Sequence, residues 1–383
     1  MINLINDAID NSDIDNLVEW LKTYPRLTKG PQTKLLEEKW SKWLGRKYSV
    51  FCNSGSSANL LMLAALKEGK YLKNNNIVIP GVAWATDLAP AIQLGYNVSL
   101  CDVNMDNLSV DLRVLETIFE SNDISVLMLV SVLGLVPNMT EIVDLCKRYG
   151  VLLLEDACES LGSTYHGVKL GTVGLMSSFS TFFGHHISTI EGGFVSTDSF
   201  ALYELLLSLR SHGWDRDLST NTQDQLQNAW NISEFDALYT FYNAGFNLRS
   251  TDLQAYIGLR QLDKLDKNID IRHLNYKLYR ELLQHLAWTP PLHKDDIVSN
   301  FAFPIISTNR DKIVKKLQEN NVEVRPLICG SMGSQPFYVK HNGAAVNLPN
   351  ADYISKFGMY LPNHPGLSPE DIHFICKLIN EEL

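Results

Sequence analysis

Two adjacent histidines, His185 and His186, sit in the stretch FSTFFGHHISTIEGG at residues 179–193. Imidazole titrates near neutral pH, so a histidine facing a cleft can take a proton from a reacting atom and return it. On a strand or extended loop successive side chains point to opposite sides, so only one of the pair can serve a cleft while the other packs behind it. Asp156 closes the apolar run VLLLEDA. A carboxylate at the end of a buried strand needs a partner; a protonated pyridine nitrogen, a basic side chain or a helix start would each serve. The turn SGSSAN at 54–59 brings a glycine and three serines to the start of a helical pattern. Free N–H groups and the positive end of the helix dipole bind phosphate at such a place, although Ser and Asn before a helix are equally ordinary caps. Trp84, in PGVAWATD, offers a flat plate that could stack on a ring or fill a core.

The elements that must position these residues are legible from periodicity. Between about residues 45 and 200, short apolar runs such as YSVFC, NIVIP and ISVLMLVSVLG alternate with helical patterns such as MTEIVDLCKRYG. Strands separated by helices of that length imply a mostly parallel sheet with both faces covered, because parallel pairing needs crossover connections. Sites in such sheets lie at the carboxyl ends of the strands, where NSGSS, PGVAW and EDACE all fall. After Asp252 a long amphipathic helical stretch runs to HL at 285–286, with apolar residues three and four apart. Shorter elements follow: strands at NFAFPIIS and VEVRPL, helices from Asp311 and Ser368, and a Gly/Ser-rich loop at 330–334. The expected division is a large domain over residues 1–260 and a smaller C-terminal α/β domain over 261–383.

Composition excludes several other functions. The 383-residue chain is 45% hydrophobic and 20% charged with a formal charge of -10, an ordinary globular balance that gives no bulk attraction to nucleic acid. The densest basic run, RDKIVKKLQ, has helical spacing and reads as a solvated face. The N-terminus carries acids and amides where a signal peptide has a basic end and an apolar run, and ISVLMLVSVLGLVP is too short to span a bilayer. A cytoplasmic protein without a membrane partner is expected. The six cysteines (Cys52, Cys101, Cys146, Cys158, Cys329 and Cys376) are scattered without a CxxC pair, so neither disulfides, a zinc site nor an iron–sulfur cluster is expected.

Taken together, the turn, the aromatic plate, the strand-end aspartate and FSTFFGHHISTIEGG occur in the order and approximate spacing of the DegT/DnrJ/EryC1/StrS sugar aminotransferases. The resemblance continues through YNAGFNLRSTDLQAYIGLRQLDKLD and VEVRPLICG and covers nearly the whole chain. It implies an α/β protein with the aspartate aminotransferase fold (fold type I of the pyridoxal phosphate enzymes). By the same resemblance Ser56 and Ser57, with the amides of the Gly55 turn and Ser180, hold the phosphate of pyridoxal 5'-phosphate (PLP) or its amine form, pyridoxamine 5'-phosphate (PMP). Trp84 stacks on the pyridine, Asp156 pairs with its nitrogen, and Glu159 bonds its phenolic oxygen. Asn247, in GFNLR, reaches the phosphate of a neighbouring subunit, which implies a homodimer with shared active sites. Arg325 and His212 are expected near the sugar nucleotide, the first gripping a diphosphate and the second assisting departure of a hydroxyl; a surface role for His212 is the alternative.

Two positions depart from the aminotransferase pattern. The family lysine, six residues before the Glu of EGG, is His185 here, and the usual glutamine three residues after the aspartate is Glu159. Both departures resemble the branch of PLP-dependent sugar 3-dehydratases. Lysine tethers the cofactor covalently and shuttles a proton, and imidazole retains only the second task. The resemblance therefore implies that His185 is the general base, with His186 packing. The implied reaction is C3 dehydration of a nucleotide-activated 4-keto-6-deoxy sugar, a GDP-linked hexose or heptose, with L-glutamate as amino donor and ammonia and 2-oxoglutarate released. Such a product suits a surface polysaccharide, O-antigen of lipopolysaccharide or capsule. The competing readings are a nucleotide-sugar 4-aminotransferase and a non-catalytic sugar-nucleotide sensor.

Overall fold

The structure, a computed structural model, describes every residue of the chain except Ala287 and Cys329; the expectation for Cys329 thus lies outside the described residues. The apolar runs become β1 (Tyr48–Cys52), β2 (Asn76–Pro80), β3 (Asn97–Cys101), β4 (Val126–Val130) and β5 (Leu152–Asp156). A short hairpin follows, β6 (Thr164–Tyr165) and β7 (Val168–Lys169), and then β8 (Met176–Ser180) and β9 (Gly193–Thr197). Seven of these form one sheet in the order β1-β9-β8-β5-β4-β2-β3. Only β9 runs against its neighbours, pairing antiparallel with β1 and β8, while the other pairs are parallel. The expected mostly parallel mixed sheet is therefore present. Every residue of β4 is buried, as its unbroken VLMLV requires of a central strand covered on both faces.

Because β1, β2, β5 and β8 point the same way, their carboxyl ends deliver the Ser54 turn, Trp84, Asp156 and Ser180 to one edge of the sheet. The Ser54 turn opens the helix Gly55–Glu68, with Ser54 Oγ accepting from Ser57 N at 3.0 Å. Such a cap contributes about 1 kcal/mol. Glu155, one residue before the site aspartate, faces the other way and receives the amides of Gly171, Val173 and Gly174. It thereby anchors the loop that leads into β8.

The long helix is Asp252–Leu282, opened by a capping box between Thr251 and Gln254. It passes unbroken through residue 260, where the large domain is expected to end. Its first half buries Ala255, Leu262, Leu265 and Ile269 against Trp40, Phe179 and Phe194, and Trp40 stacks on Phe194 at 4.0 Å. Its second half carries Tyr276 and Tyr279 into the C-terminal part, where Tyr279 donates to the carbonyl of Pro362 at 2.9 Å. That part holds β10 (Ala302–Ile306), β11 (Arg325–Pro326) and β12 (Gly358–Pro362), antiparallel in the order β10-β12-β11. The strand expected over VEVRPL is reduced to two residues, since Pro326 carries no N–H for a further rung. The helices Arg310–Glu319 and Pro369–Asn380 cover this sheet, the second capped by Ser368. Residues at the start of the chain join it too: Ile2 bridges to Val322, and Leu4 N donates to Glu323 Oε2 at 3.0 Å.

Candidate active site

At the carboxyl edge of the large sheet lies a cavity of about 370 Å³, within the usual range for a small-molecule site. Gly55, Ser56, Trp84, Asp156, Glu159, Ser180 and His185 all line it. Four separate chain segments, more than 100 residues apart at the extremes, thus converge on it.

The turn at one end is a tight cradle. A Cβ on Gly55 would lie 2.7 Å from Ser180 Cβ and 3.0 Å from Cys158 Sγ, so only glycine lets the helix start approach β8 this closely. Ser57 does not line the cavity; its hydroxyl accepts from Ser54 Oγ at 3.0 Å. Trp84 is 49% exposed and has no ring partner among the described residues, which leaves a flat indole wall open to the cavity. Asp156 is buried and held by two amides, Cys158 N at 2.8 Å and Asn59 Nδ2 at 2.6 Å.

Glu159 is buried, and its Oε2 accepts from Leu133 N at 2.7 Å. Burial pushes its carboxyl up to about 8, with the charge of Asp156 adding to the shift and the Leu133 bond opposing it. At neutral pH it therefore carries a proton and can donate it, as a glutamine amide would donate its N–H. His185 is half-buried with its Nδ1 free of any partner. Burial pulls the imidazole down to about 4, and the charge of Arg272 acts in the same direction, while Asp156 opposes. It stays neutral at physiological pH, with an acceptor available.

The second histidine turns away. His186 is 1% exposed, does not line the cavity, and its Nε2 meets the carbonyl of Ser299 at 3.1 Å. The neighbouring backbone is fixed by Arg272, whose Nη2 donates to the His185 carbonyl at 3.2 Å. Among the described residues Arg272 has no carboxylate partner, only the carbonyls of His185, Asn300 and Asn363. Burial pulls its guanidinium down to about 9.

The other expected site residues lie elsewhere. Arg325 stands on β11 opposite Tyr360, which lines the cavity, but its Nη2 is engaged by Glu323 Oε1 at 2.5 Å. Asn247 lines a second cavity of about 440 Å³ with Arg26, Lys29, Arg216 and Arg249. Its segment runs beside the end of β1, with Asn53 N donating to the Leu248 carbonyl at 3.0 Å. His212 adjoins this second cavity, its Nε2 lying 3.3 Å from Arg249 Nη2. Reasoning from sequence also missed residues that line the first cavity: Asn59 and Asp87 from the large sheet side, and Phe301, Ile328 and Tyr360 from the C-terminal part.

The residues present fit pyridoxal phosphate: a cradle of helix-start amides and serines, an open aromatic wall, a buried aspartate, and a protonated glutamate beside it. No lysine lines the cavity among the described residues, so the chain offers no amine there for a covalent tether. The sequence profile of the DegT/DnrJ/EryC1/StrS aminotransferase family matches residues 7–380. The chain is 33% identical over 376 residues to a GDP-4-keto-6-deoxy-D-mannose 3-dehydratase of Yersinia pseudotuberculosis, with 95% of each chain covered. It is 31% identical to an enzyme of the same name from Escherichia coli O55:H7, over 98% of this chain and 100% of that one. It also superposes with a TM-score of 0.89 and 29% identity on a GDP-4-keto-6-deoxymannose-3-dehydratase solved with a trapped PLP–glutamate geminal diamine, over 99% of this chain and 100% of that one.

Proposed function

The chain belongs to the DegT/DnrJ/EryC1/StrS aminotransferase family, and on that premise we propose that it is a PLP-dependent 3-dehydratase of a GDP-linked 4-keto-6-deoxy sugar, the hexose or the corresponding heptose. L-Glutamate is the amino donor, and ammonia and 2-oxoglutarate are released with the 4-keto-3-deoxy product. The product serves a surface polysaccharide, and the reaction takes place in the cytoplasm. The observation that carries this reading is the histidine at the lysine position in a cavity that otherwise retains the cofactor constellation.

When bound, the cofactor supplies an amino group taken from glutamate and an electron sink that lets the sugar's C3 hydroxyl depart. The chain's own residues do the rest. Helix-start amides at Gly55 and Ser56, with Ser180, bind the phosphate. Trp84 covers one face of the ring and excludes water from it. Asp156 holds a proton on the ring nitrogen, and Glu159 donates to the phenolic oxygen. His185, which lines the cavity and stays neutral, carries the imidazole at which the proton is taken and returned. Lacking a lysine amine, the site has no group to displace an aminated product, which favours release after deoxygenation over net amination.

The active unit is a homodimer in which Asn247 serves the partner's cofactor phosphate. Support comes from the cationic cavity around Asn247 and from the exposed aromatic side chains next to it. Tyr239 and Phe241, 75% and 52% exposed, both pack on Trp214, which lines the cavity. A patch of that kind marks a protein interface. Arg325 and His212 remain assigned to the sugar nucleotide, at the rim and in the partner-facing groove. No helix of the described residues is long and apolar enough to cross a membrane.

Mass spectrometry of the sugar nucleotide tests the reading, after incubation of the purified protein with PLP, L-glutamate and GDP-4-keto-6-deoxymannose or its heptose analogue. Loss of the C3 oxygen with release of ammonia and 2-oxoglutarate is expected. Retention of that oxygen with nitrogen gained at C4 would establish an aminotransferase instead.

A further inference from the structure

Asp87 is fully buried, lines the same cavity, and has no role in the chemistry above. Its Oδ1 accepts from Asn59 Nδ2 at 3.1 Å, and that same Nδ2 donates to Asp156 Oδ2 at 2.6 Å. The nitrogen also lies 3.3 Å from the Thr86 carbonyl, which fixes the end of the amide that faces the two acids. Asn59 therefore has two N–H groups for three acceptors. The other donors to the pair include two main-chain amides, Trp84 N to Asp87 Oδ2 at 2.8 Å and Cys158 N to Asp156 Oδ1 at 2.8 Å, and the Cys158 thiol also bonds Asp156. Among the described residues no cation bonds either carboxyl.

Two carboxyl groups held against one amide, out of water and without a cation, cannot both ionise; one proton is retained between them. Asp156 receives the shorter of the two Asn59 bonds. On the Asp87 side, burial and then the neighbouring charge of Asp156 push the carboxyl well above its ordinary value, and Glu159 adds to the push. The titratable groups that face the pair are Cys158 and Glu159 on the turn after β5, and His185 on the loop after β8. Burial keeps Cys158 a thiol and His185 neutral, so neither supplies a compensating cation.

We propose that Asp87 is a positioning residue that holds a proton shared with Asp156, so that the pair presents one negative charge, aligned by Asn59, to the cofactor's ring nitrogen. The inference rests on Asp156 being the ring-nitrogen partner. A single charge would match a single pyridinium, and the proton on Asp87 would hold the Asp156 carboxylate in place beside Asn59. A second full charge would instead require a second cation that the cavity does not contain.

The test compares Asp87→Asn, which keeps a neutral donor and an acceptor for Trp84 N, with Asp87→Ala, which keeps neither. Infrared difference spectra of the cofactor-free chain in deuterated and ordinary water are recorded near neutral pH in a Glu159→Gln background, which removes the other protonated carboxyl. A protonated-carboxyl band present when Asp87 is intact and absent from Asp87→Asn is expected. PLP binding is followed by quenching of tryptophan fluorescence. Asp87→Asn should bind within about threefold of the natural chain, and Asp87→Ala about tenfold or more weakly, since a bond to a charged group is lost. An unchanged infrared band, or equal weakening by Asn and Ala, overturns the proposal. Should the natural chain fail to bind PLP, the cofactor reading fails, while the infrared comparison still decides where the proton lies.

Discussion

Arg272 donates from Nη2 to the backbone carbonyl of His185 at 3.2 Å, and from Nη1 to the carbonyls of Asn300 and Asn363. One buried guanidinium on the long helix thus ties the loop bearing the proposed base to the strand ends of the C-terminal sheet. A planar fork with five donors can serve three carbonyls at once; a lysine ammonium would match them poorly. Arg272→Met fills most of the volume but leaves the three carbonyls unpaired. The expected outcome is a loss of about 3 kcal/mol in urea denaturation and at least about tenfold lower turnover. Arg272→Lys should fall between Met and the natural residue.

The adjacent histidines separate cleanly in space. His185 lines the cavity with an unpartnered Nδ1, and His186 packs against Ser299. His185→Asn should lower the rate of deoxy-sugar formation by about 10²–10⁴, the usual worth of a general acid–base group, with PLP affinity retained. His186→Asn should cost about 1–2 kcal/mol of stability and leave the rate within a few-fold. Full activity in His185→Asn together with loss in His186→Asn would reverse the assignment.

Much of this site was legible because its residues sit at strand ends and helix starts, where local signals are strong. The glycine turn, Trp84, Asp156 and the loop before EGG each follow an apolar run whose length announces a strand. Asp87 was hidden for the opposite reason, since a short polar side chain in the first turn of a helix looks like a cap, and Asp87 is one for Trp84 N; Asn59, one turn into its helix, carries no local signal at all. Phe301, Ile328 and Tyr360 reach the cavity only through packing of the C-terminal sheet, and a single apolar letter carries no trace of that. Arg272 sits in a helix rich in charged residues, where a solvated cation is the ordinary expectation. The short β11 was overestimated because VEVRPL alternates like a strand, while its proline limits the ladder.

A shared active site predicts complementation. Asn247→Ala should form a dimer by analytical ultracentrifugation yet bind PLP more weakly, by about tenfold for one lost charge-assisted bond to phosphate. His185→Asn keeps an intact Asn247 for its partner. Subunits of the two variants, unfolded together and refolded, should give hybrid dimers with one intact site, and at limiting PLP these should form more deoxy sugar than either variant alone. No recovery in confirmed hybrids would mean that Asn247 acts within its own subunit.

The two shifted groups beside Asp156 set a pH window. His185, pulled down to about 4 by burial, is ready to accept a proton once the pH is above that value. Glu159, pushed up to about 8 by burial, can donate only below it. The competent combination, neutral imidazole with protonated carboxyl, therefore exists between about 4 and 8. The rate should fall as pH rises through the upper value, because Glu159 then turns from donor to acceptor toward the phenolic oxygen and adds a negative charge next to Asp156. The sign is the same for stability: a carboxyl held above its ordinary value costs the fold progressively more from pH 4.5 upward, until the buried group itself ionises near 8. Glu159→Gln keeps a neutral donor that cannot titrate. Its rate profile should lose the alkaline limb while the acid limb stays, and a limb that persists near 8 would assign the titration to another group.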